Sequence, residues 1–288
     1  MAAVHHAPIT EIRRAVAVAL AEDLTPLGDL SAALVPDGPA VTAAFVPRRD
    51  GVLAGTRCAT EAFAQLDPDV EVRWSADDGD AVAAGATIGE VVGPLASILT
   101  GERTALNFLN HLSGVATLTR RYVDAAAARG GTARVWDTRK TTPGLRSLEK
   151  AAVRAGGGWN HRGNLSDWVM FKDNHLTRLG IAEAVRQARA TWPARTIHVE
   201  ADSLDKVEQA LAAGADAILL DNLSPAEVRE AVALADGAAR RPLLEASGGI
   251  TIETIADYAA TGVDVISTSH ITISAPVLDI GLDIDPNA

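Results

Sequence analysis

The segment DTRKTTPGLRSLEKAAVRAGGGWNHRGNLSDWVMFKDNH, from Asp137 to His175, concentrates positive charge in an acidic chain. Between Arg134 and His175 stand Arg134, Arg139, Lys140, Arg146, Lys150, Arg154, Arg162 and Lys172, opposed by Asp137, Glu149, Asp167 and Asp173. That is a local charge of plus four in a chain of 288 residues whose net charge is minus eleven. Such an inversion marks a cleft for an anion. The planar fork of arginine suits carboxylates or phosphates held by two-point contact. Glu200 and Asp221 close the apolar runs TIHVE and AILLD. There they can hold ribose hydroxyls directly or through Mg2+, whose hard character favours oxygen; internal ion pairs with the lysines are the alternative use. Ser247, Gly248 and Gly249 follow an apolar run and precede a helix, so backbone amides can approach an anion at a helix start. Ser267, Thr268 and Ser269, one repeat later, complete the usual phosphate position of a barrel. The triple glycine at 156–158 reads equally as a second such loop or as a helix stop. His161 lies inside the cationic segment and assists ligand binding, whereas His111, His175 and His198 read as structural, and His5 and His6 as a loose terminus. The single Cys58 allows neither an intrachain disulfide nor a thiolate zinc site. The lack of HExxH, paired CxxC and GxSxG argues against zinc-hydrolase and serine-hydrolase chemistry.

The elements that must position these residues are legible as a repeat. From Arg134 onward the apolar runs ARVWD, WVMFK, TIHVE, AILLD, LLEAS and VDVIS alternate with amphipathic helices, which predicts a parallel sheet covered by helices, as a complete or incomplete barrel. The runs close on Asp137, Lys172, Glu200, Asp221, Glu245 and Ser267, and C-terminal strand ends build the active face of such barrels. Before the repeat, the spacing predicts a helix over 9–22 capped by Thr10, then turns that hold Asp23 and Asp29. Residues 41–94 alternate short strands around the helix CATEAFAQL, an α+β arrangement. A long helix follows, with Ile98, Leu99, Leu106, Leu109, Leu112 and Val115 on its buried side and a bend or boundary at Gly114. Arg103 within it reads, taken alone, as solvated or salt-bridged. The acidic balance speaks against nucleic acid and anionic membrane as partners. No run approaches the roughly 20 apolar residues that span a bilayer, and the start lacks a signal-peptide core, so a cytoplasmic protein is expected.

The run DTRKTTPGLRSLEKAAVRAGGGWNHR…LSDWVMFKDNH resembles the quinolinate phosphoribosyltransferases, also called carboxylating nicotinate-nucleotide diphosphorylases, among the type II phosphoribosyltransferases. The likeness extends through AEDLTPLGDLS, GVLAG, ILTGERTALNFLNHLSGVATLT, the Glu200 and Asp221 ends, SGGI and LDIGL. It implies an α/β fold: an N-terminal α/β sandwich domain over 1–115, joined by the tail 275–288, and an incomplete parallel α/β barrel over 116–274. It implies a homodimer in which Arg103 enters the neighbouring subunit's site. Arg139, Arg162 and Lys172 would hold the two carboxylates of quinolinate, with Thr138 and His161 beside them. Lys140, Glu200 and Asp221 would serve phosphoribosyl pyrophosphate and its Mg2+. Ser247, Gly248 and Gly249, with Thr268 and Ser269, would receive the 5-phosphate. The implied products are nicotinate mononucleotide, pyrophosphate and CO2, in de novo NAD biosynthesis. The chain departs from the family where GALTHS is usual: Ser269 replaces the glycine and Ile273 the histidine. Trp159 is also bulkier than expected. Rival readings are a transferase with another acceptor, a non-catalytic anion-binding relative, and a Schiff-base lyase using Lys172.

Overall fold

The computed structural model describes residues 6–284. The chain divides into two compact units, the first comprising 1–120, 141–157 and 271–288, the second 121–140 and 158–270. Strands are numbered along the chain.

In the first unit β1 (Val41–Pro47), β3 (Glu71–Trp74), β5 (Gly89–Gly93) and the C-terminal β12 (Ile280–Ile284) form an antiparallel sheet in the order β12-β1-β5-β3, while β2 (Gly51–Val52) pairs with β4 (Ala81–Val82). Alternation along VTAAFVP buries Ala43 and Phe45, and Phe45 stacks on Trp74 at 4.8 Å between ring centres. The buried Asp78 accepts the amides of Gly55 and Thr56, both at 3.0 Å, at the start of the helix Thr56–Leu66, whose first N–H groups lack partners within the helix. His6 Nδ1 lies 3.1 Å from the same carboxylate, so His6 is anchored, contrary to the loose terminus expected; His5 lies outside the described residues. The first helix is Ile9–Leu24 with Pro8 at its N-cap. Thr10 is already helical and caps nothing. Asp29 does build a turn, accepting Ser31 N and Ala32 N at 2.9 Å.

The long helix Leu95–Ala127 runs 33 residues without a break. The bend expected at Gly114 is absent because this glycine serves packing: a Cβ there would lie 2.2 Å from Pro276 O. Of the predicted buried side, Leu99 is instead 38 % exposed. The helix Arg146–Ala155 stops at Gly156, where a Cβ would lie 2.4 Å from Ala116 O, and Gly157 has φ +87°. The triple glycine is therefore a helix stop packed close against another helix. Among the described residues no helix is long and apolar enough to cross a membrane.

The second unit is built on β6 (Arg134–Trp136), β7 (Val169–Phe171), β8 (Ile197–Ala201), β9 (Ala217–Asp221), β10 (Leu243–Ser247) and β11 (Val265–Ser267). These form one parallel sheet in the order β6-β11-β10-β9-β8-β7. The first two strands are its two edges, and no pairing joins them among the described residues, so the barrel is incomplete. The helices Ile181–Thr191, Leu204–Ala213 and Pro225–Asp236 alternate with the strands as the repeat predicted. Ser203 and Ser224 cap the latter two, and Ser224 with Glu227 forms a reciprocal capping box, which fixes where each loop hands over to its helix. Register aligns the C-terminal ends: Trp136 pairs with Ser267, Ser267 with Ser247, and Ser247 with Asp221.

Candidate active site

Side chains alternate along a strand, and residues paired across parallel strands point the same way. Glu200 and Glu245 both pair with Leu219, and Asp221, Ser247 and Ser267 sit side by side, so these five and His198 occupy one face of the sheet. Barrels ordinarily fill that face with branched apolar residues. The expectation that Glu245 ends a strand is not met. It is the middle residue of β10, fully buried, and Ser247 is the end, because the strand continues past a charge that two histidines meet from within.

Asp137, expected at the mouth, is also fully buried. Its Oδ1 accepts the His161 amide at 2.8 Å and its Oδ2 the Asn160 side-chain amide at 2.7 Å. Trp159 adds a bridge to Trp136 and donates its amide to Val135 O at 2.8 Å. Together they hang the segment carrying His161 and Arg162 on the edge strand β6. The bulk of Trp159 has a use there: its half-exposed ring lies 4.2 Å beneath the Arg134 guanidinium.

The predicted cations follow the two edge strands, Arg139, Lys140 and Arg162 at β6 and Lys172 at β7. His161 and Arg162 are buried, and Arg162 Nε has no hydrogen-bond partner among the described residues. Burial holds Arg162 below its ordinary value, and the neighbouring Arg139 guanidinium pulls the same way, against Glu245 and Asp167. A buried guanidinium under the field of a second one favours an incoming anion. Thr138 Oγ1 accepts the Lys140 amide at 3.0 Å, shaping the turn from which Lys140 extends exposed. Lys172 pairs with Glu200, the internal ion pair that composition allowed, and its amide is held by His175 Nδ1 at 3.0 Å. Asp221 accepts Asn222 Nδ2 at 2.8 Å. Glu200 and Asp221 are thus two carboxylates on neighbouring strands near their C-terminal ends. Arg146 turns to Thr141 Oγ1 and Arg154 to the backbone of Lys150 and His6, as framework charges do. His111 contacts the buried Glu149 at 2.8 Å. Arg103 belongs to the first unit, exposed on the long helix.

The glycine loop is shaped for close approach. Gly248 has φ +98°, and a Cβ there would lie 2.3 Å from Asn222 Oδ1; Gly249 has φ +63° and open space. Asn222 itself has φ +58° and donates its amide to Ser247 O at 2.9 Å. Ser267 Oγ donates to Ser247 Oγ at 3.0 Å. Thr268 is buried, its hydroxyl 3.4 Å from Ile250 O and accepting the His270 amide at 3.2 Å, so it braces the loop from behind. Ser269 is half-buried and follows directly. His270 Nδ1 meets the buried Tyr122 hydroxyl at 2.8 Å, while Ile273 is 60 % exposed.

Sequence reasoning passed over a cluster beneath the cations. His161, His198 and Glu245 bring ligand-type atoms within 4.8 Å of one another, all buried. Burial pulls His198 down to about 4, with Glu245 opposing and His161, Arg162 and Lys172 reinforcing, so it is neutral near pH 7. A divalent cation there would sit in the positive field of Arg162 and Lys172; the carboxylate is what that field favours. The signal was present as polar residues two apart within apolar runs, His198 with Glu200 and Glu245 with Ser247, which is the period of one strand face. Cys58 is buried and its thiol pushed up to about 12 by burial, then by Asp78 and Glu61, so it is no nucleophile.

The family profile for the C-terminal domain of quinolinate phosphoribosyl transferase matches residues 115–283, and that for its N-terminal domain matches 29–113. A nicotinate-nucleotide pyrophosphorylase [carboxylating] of Mycobacterium leprae is 42% identical over 270 residues, covering 92% of this chain and 94% of the relative. A probable nicotinate-nucleotide pyrophosphorylase [carboxylating] of Bacillus subtilis is 42% identical over 259 residues, covering 89% and 88%. The solved nicotinate-nucleotide pyrophosphorylase of Francisella tularensis superposes with a TM-score of 0.92 at 39% identity, over 98% of this chain and 99% of that one.

Proposed function

The chain belongs to the quinolinate phosphoribosyltransferase family, and from that premise we propose that it joins quinolinate to phosphoribosyl pyrophosphate in NAD biosynthesis. The products are nicotinate mononucleotide, pyrophosphate and CO2. The observation that carries this reading in the chain itself is the buried Arg162 at the sheet edge, with the Arg139 guanidinium bearing on it, a positive field suited to a carboxylate.

We assign Arg139, Arg162 and Lys172, with Thr138 and His161, to the acceptor's carboxylates. The ring nitrogen then attacks C1 of the ribose as pyrophosphate departs, and fixed orientation replaces a chance encounter. On this reading Lys172 exchanges Glu200 for a substrate carboxylate, which frees Glu200 to act with Asp221. Two protein carboxylates and the substrate's own phosphate oxygens are the usual setting for Mg2+. Glu200 and Asp221 would hold that ion, and it would neutralise charge on the pyrophosphate. Lys140, exposed beyond the Thr138 turn, would meet the same leaving group. Ser247, Gly248 and Gly249, backed by Thr268 and Ser269, receive the 5-phosphate on backbone amides. Once the bond to ribose forms, the C2 carboxylate leaves as CO2, its bonding pair stays on C2 beside the positive ring nitrogen that stabilises it, and a proton from water completes the product, so that step asks the protein mainly for orientation. The resemblance also supports a cytoplasmic homodimer with Arg103 completing the neighbour's site.

Incubation of the protein with quinolinate, phosphoribosyl pyrophosphate and Mg2+ should yield nicotinate mononucleotide and equimolar pyrophosphate, and omission of Mg2+ should abolish both. Absence of product with quinolinate, together with turnover of a monocarboxylate, would overturn the assignment.

A further inference from the structure

Glu245 is a buried carboxylate that the transfer reaction does not use. Its Oε2 lies 3.3 Å from His161 Nε2 and 3.5 Å from His198 Nε2. An ionised carboxylate away from water persists only if its surroundings compensate it. Burial alone would raise its pKa, yet His161, His198 and Ser267 together hold it below the ordinary range. The charged groups bearing on the cluster are Arg162 and Lys172, with Arg139 and Asp167 acting on Arg162.

The same contacts constrain the His161 ring. Its backbone amide is fixed by Asp137, and the rings of Trp136 and Trp168 stand edge-on to it at 5.9 and 4.9 Å between centres. Glu245 adds a polar contact at Nε2 of the His161 ring, and it comes from the strand on which the phosphate loop also begins.

We propose that Glu245 is a positioning residue for acceptor binding: set between the Nε2 atoms of His161 and His198, its carboxylate fixes the His161 ring against which Arg162 and the acceptor's carboxylate are aligned. This rests on the dicarboxylate reading above. It predicts a selective effect, because the phosphoribosyl donor is held by other residues.

The test is the pair of Michaelis constants measured in the intact protein. Glu245→Gln should raise KM for quinolinate about tenfold while KM for phosphoribosyl pyrophosphate stays within about twofold, as expected when a contact to a charged group is lost. Glu245→Asp keeps the charge that the neighbouring cations require and retracts it by one methylene. It should raise the same constant by a smaller factor, and it supplies the measurement if the glutamine variant does not fold. Combining Glu245→Gln with His161→Asn should be no worse than His161→Asn alone, since a residue acting through another is silent once that other is removed. An active parent whose quinolinate KM is unmoved in both Glu245 variants, whose two constants rise together, or whose double variant shows additive losses would overturn the proposal. A parent that forms no product from quinolinate would instead strike the transferase reading itself.

Discussion

At the scale of single residues, the site is defined by side chains whose position is costly and therefore informative. Gly248 is an instance, for its φ of +98° excludes most side chains and a Cβ would meet Asn222 Oδ1 at 2.3 Å and Asn222 N at 2.9 Å. Gly248→Ala should cost about 1–3 kcal/mol of stability and raise KM for phosphoribosyl pyrophosphate severalfold, with the quinolinate constant little changed. Gly249→Ala, with open space around it, should cost only about 1 kcal/mol; equal losses in the two variants, read by thermal denaturation and steady-state kinetics, would rule out the role given to Asn222. This glycine loop was legible in the sequence because glycine between a strand and a helix has few other uses. Asp137 and Glu245 were legible only as polar punctuation. A carboxylate at the mouth and one fully buried among amides or imidazoles look alike in a sequence, since what separates them is the partner: Asn160 and His161 for one, His161 and His198 for the other.

At the scale of elements, continuous apolar runs gave away the parallel strands, because they are a local property of the chain, whereas the one cap expected, Thr10, caps nothing, and Ser203 and Ser224 went unread. Gly114 misled for the opposite reason. Local propensity reads a mid-helix glycine as a weak point, whereas its cause lies far along the chain, in the approach of Pro276 and Val277 to the helix backbone. The two readings predict opposite signs for Gly114→Ala. Propensity alone would stabilise the helix by about 1 kcal/mol. A methyl 2.2 Å from Pro276 O must displace the C-terminal segment, whose β12 pairs with β1, and overpacking of this kind costs about 1–3 kcal/mol. A net loss of stability, measured by chemical denaturation, is therefore expected, and a net gain would mean that the tail is not held against the helix.

At the scale of the whole molecule, one cation of the proposed acceptor clamp belongs to a different unit from the others. Arg139, Arg162 and Lys172 belong to the second unit and are gathered by β6, β7 and the Asp137 staple, while Arg103 is exposed on the helix of the first. An exposed arginine on a helix is ordinarily a solvated charge, and on the dimer reading a second copy of the chain receives it. A two-fold dimer makes that arrangement reciprocal, each chain giving one Arg103 and receiving one. Reciprocity has a kinetic signature that neither a solvated arginine nor an arginine acting within its own chain can produce. Arg103→Ala and Lys140→Ala should each be folded and nearly inactive. A mixed dimer places the intact Arg103 of the second variant at the intact Lys140 of the first, so it holds one whole site and one doubly damaged one. After random reassortment half the dimers are mixed, and about a quarter of the parental activity should return on co-refolding equal amounts of the two. Activity that stays at the level of the separate variants, with mixed dimers verified by affinity tagging of one variant, would place Arg103 outside the partner's site and leave the clamp to the three cations of one chain.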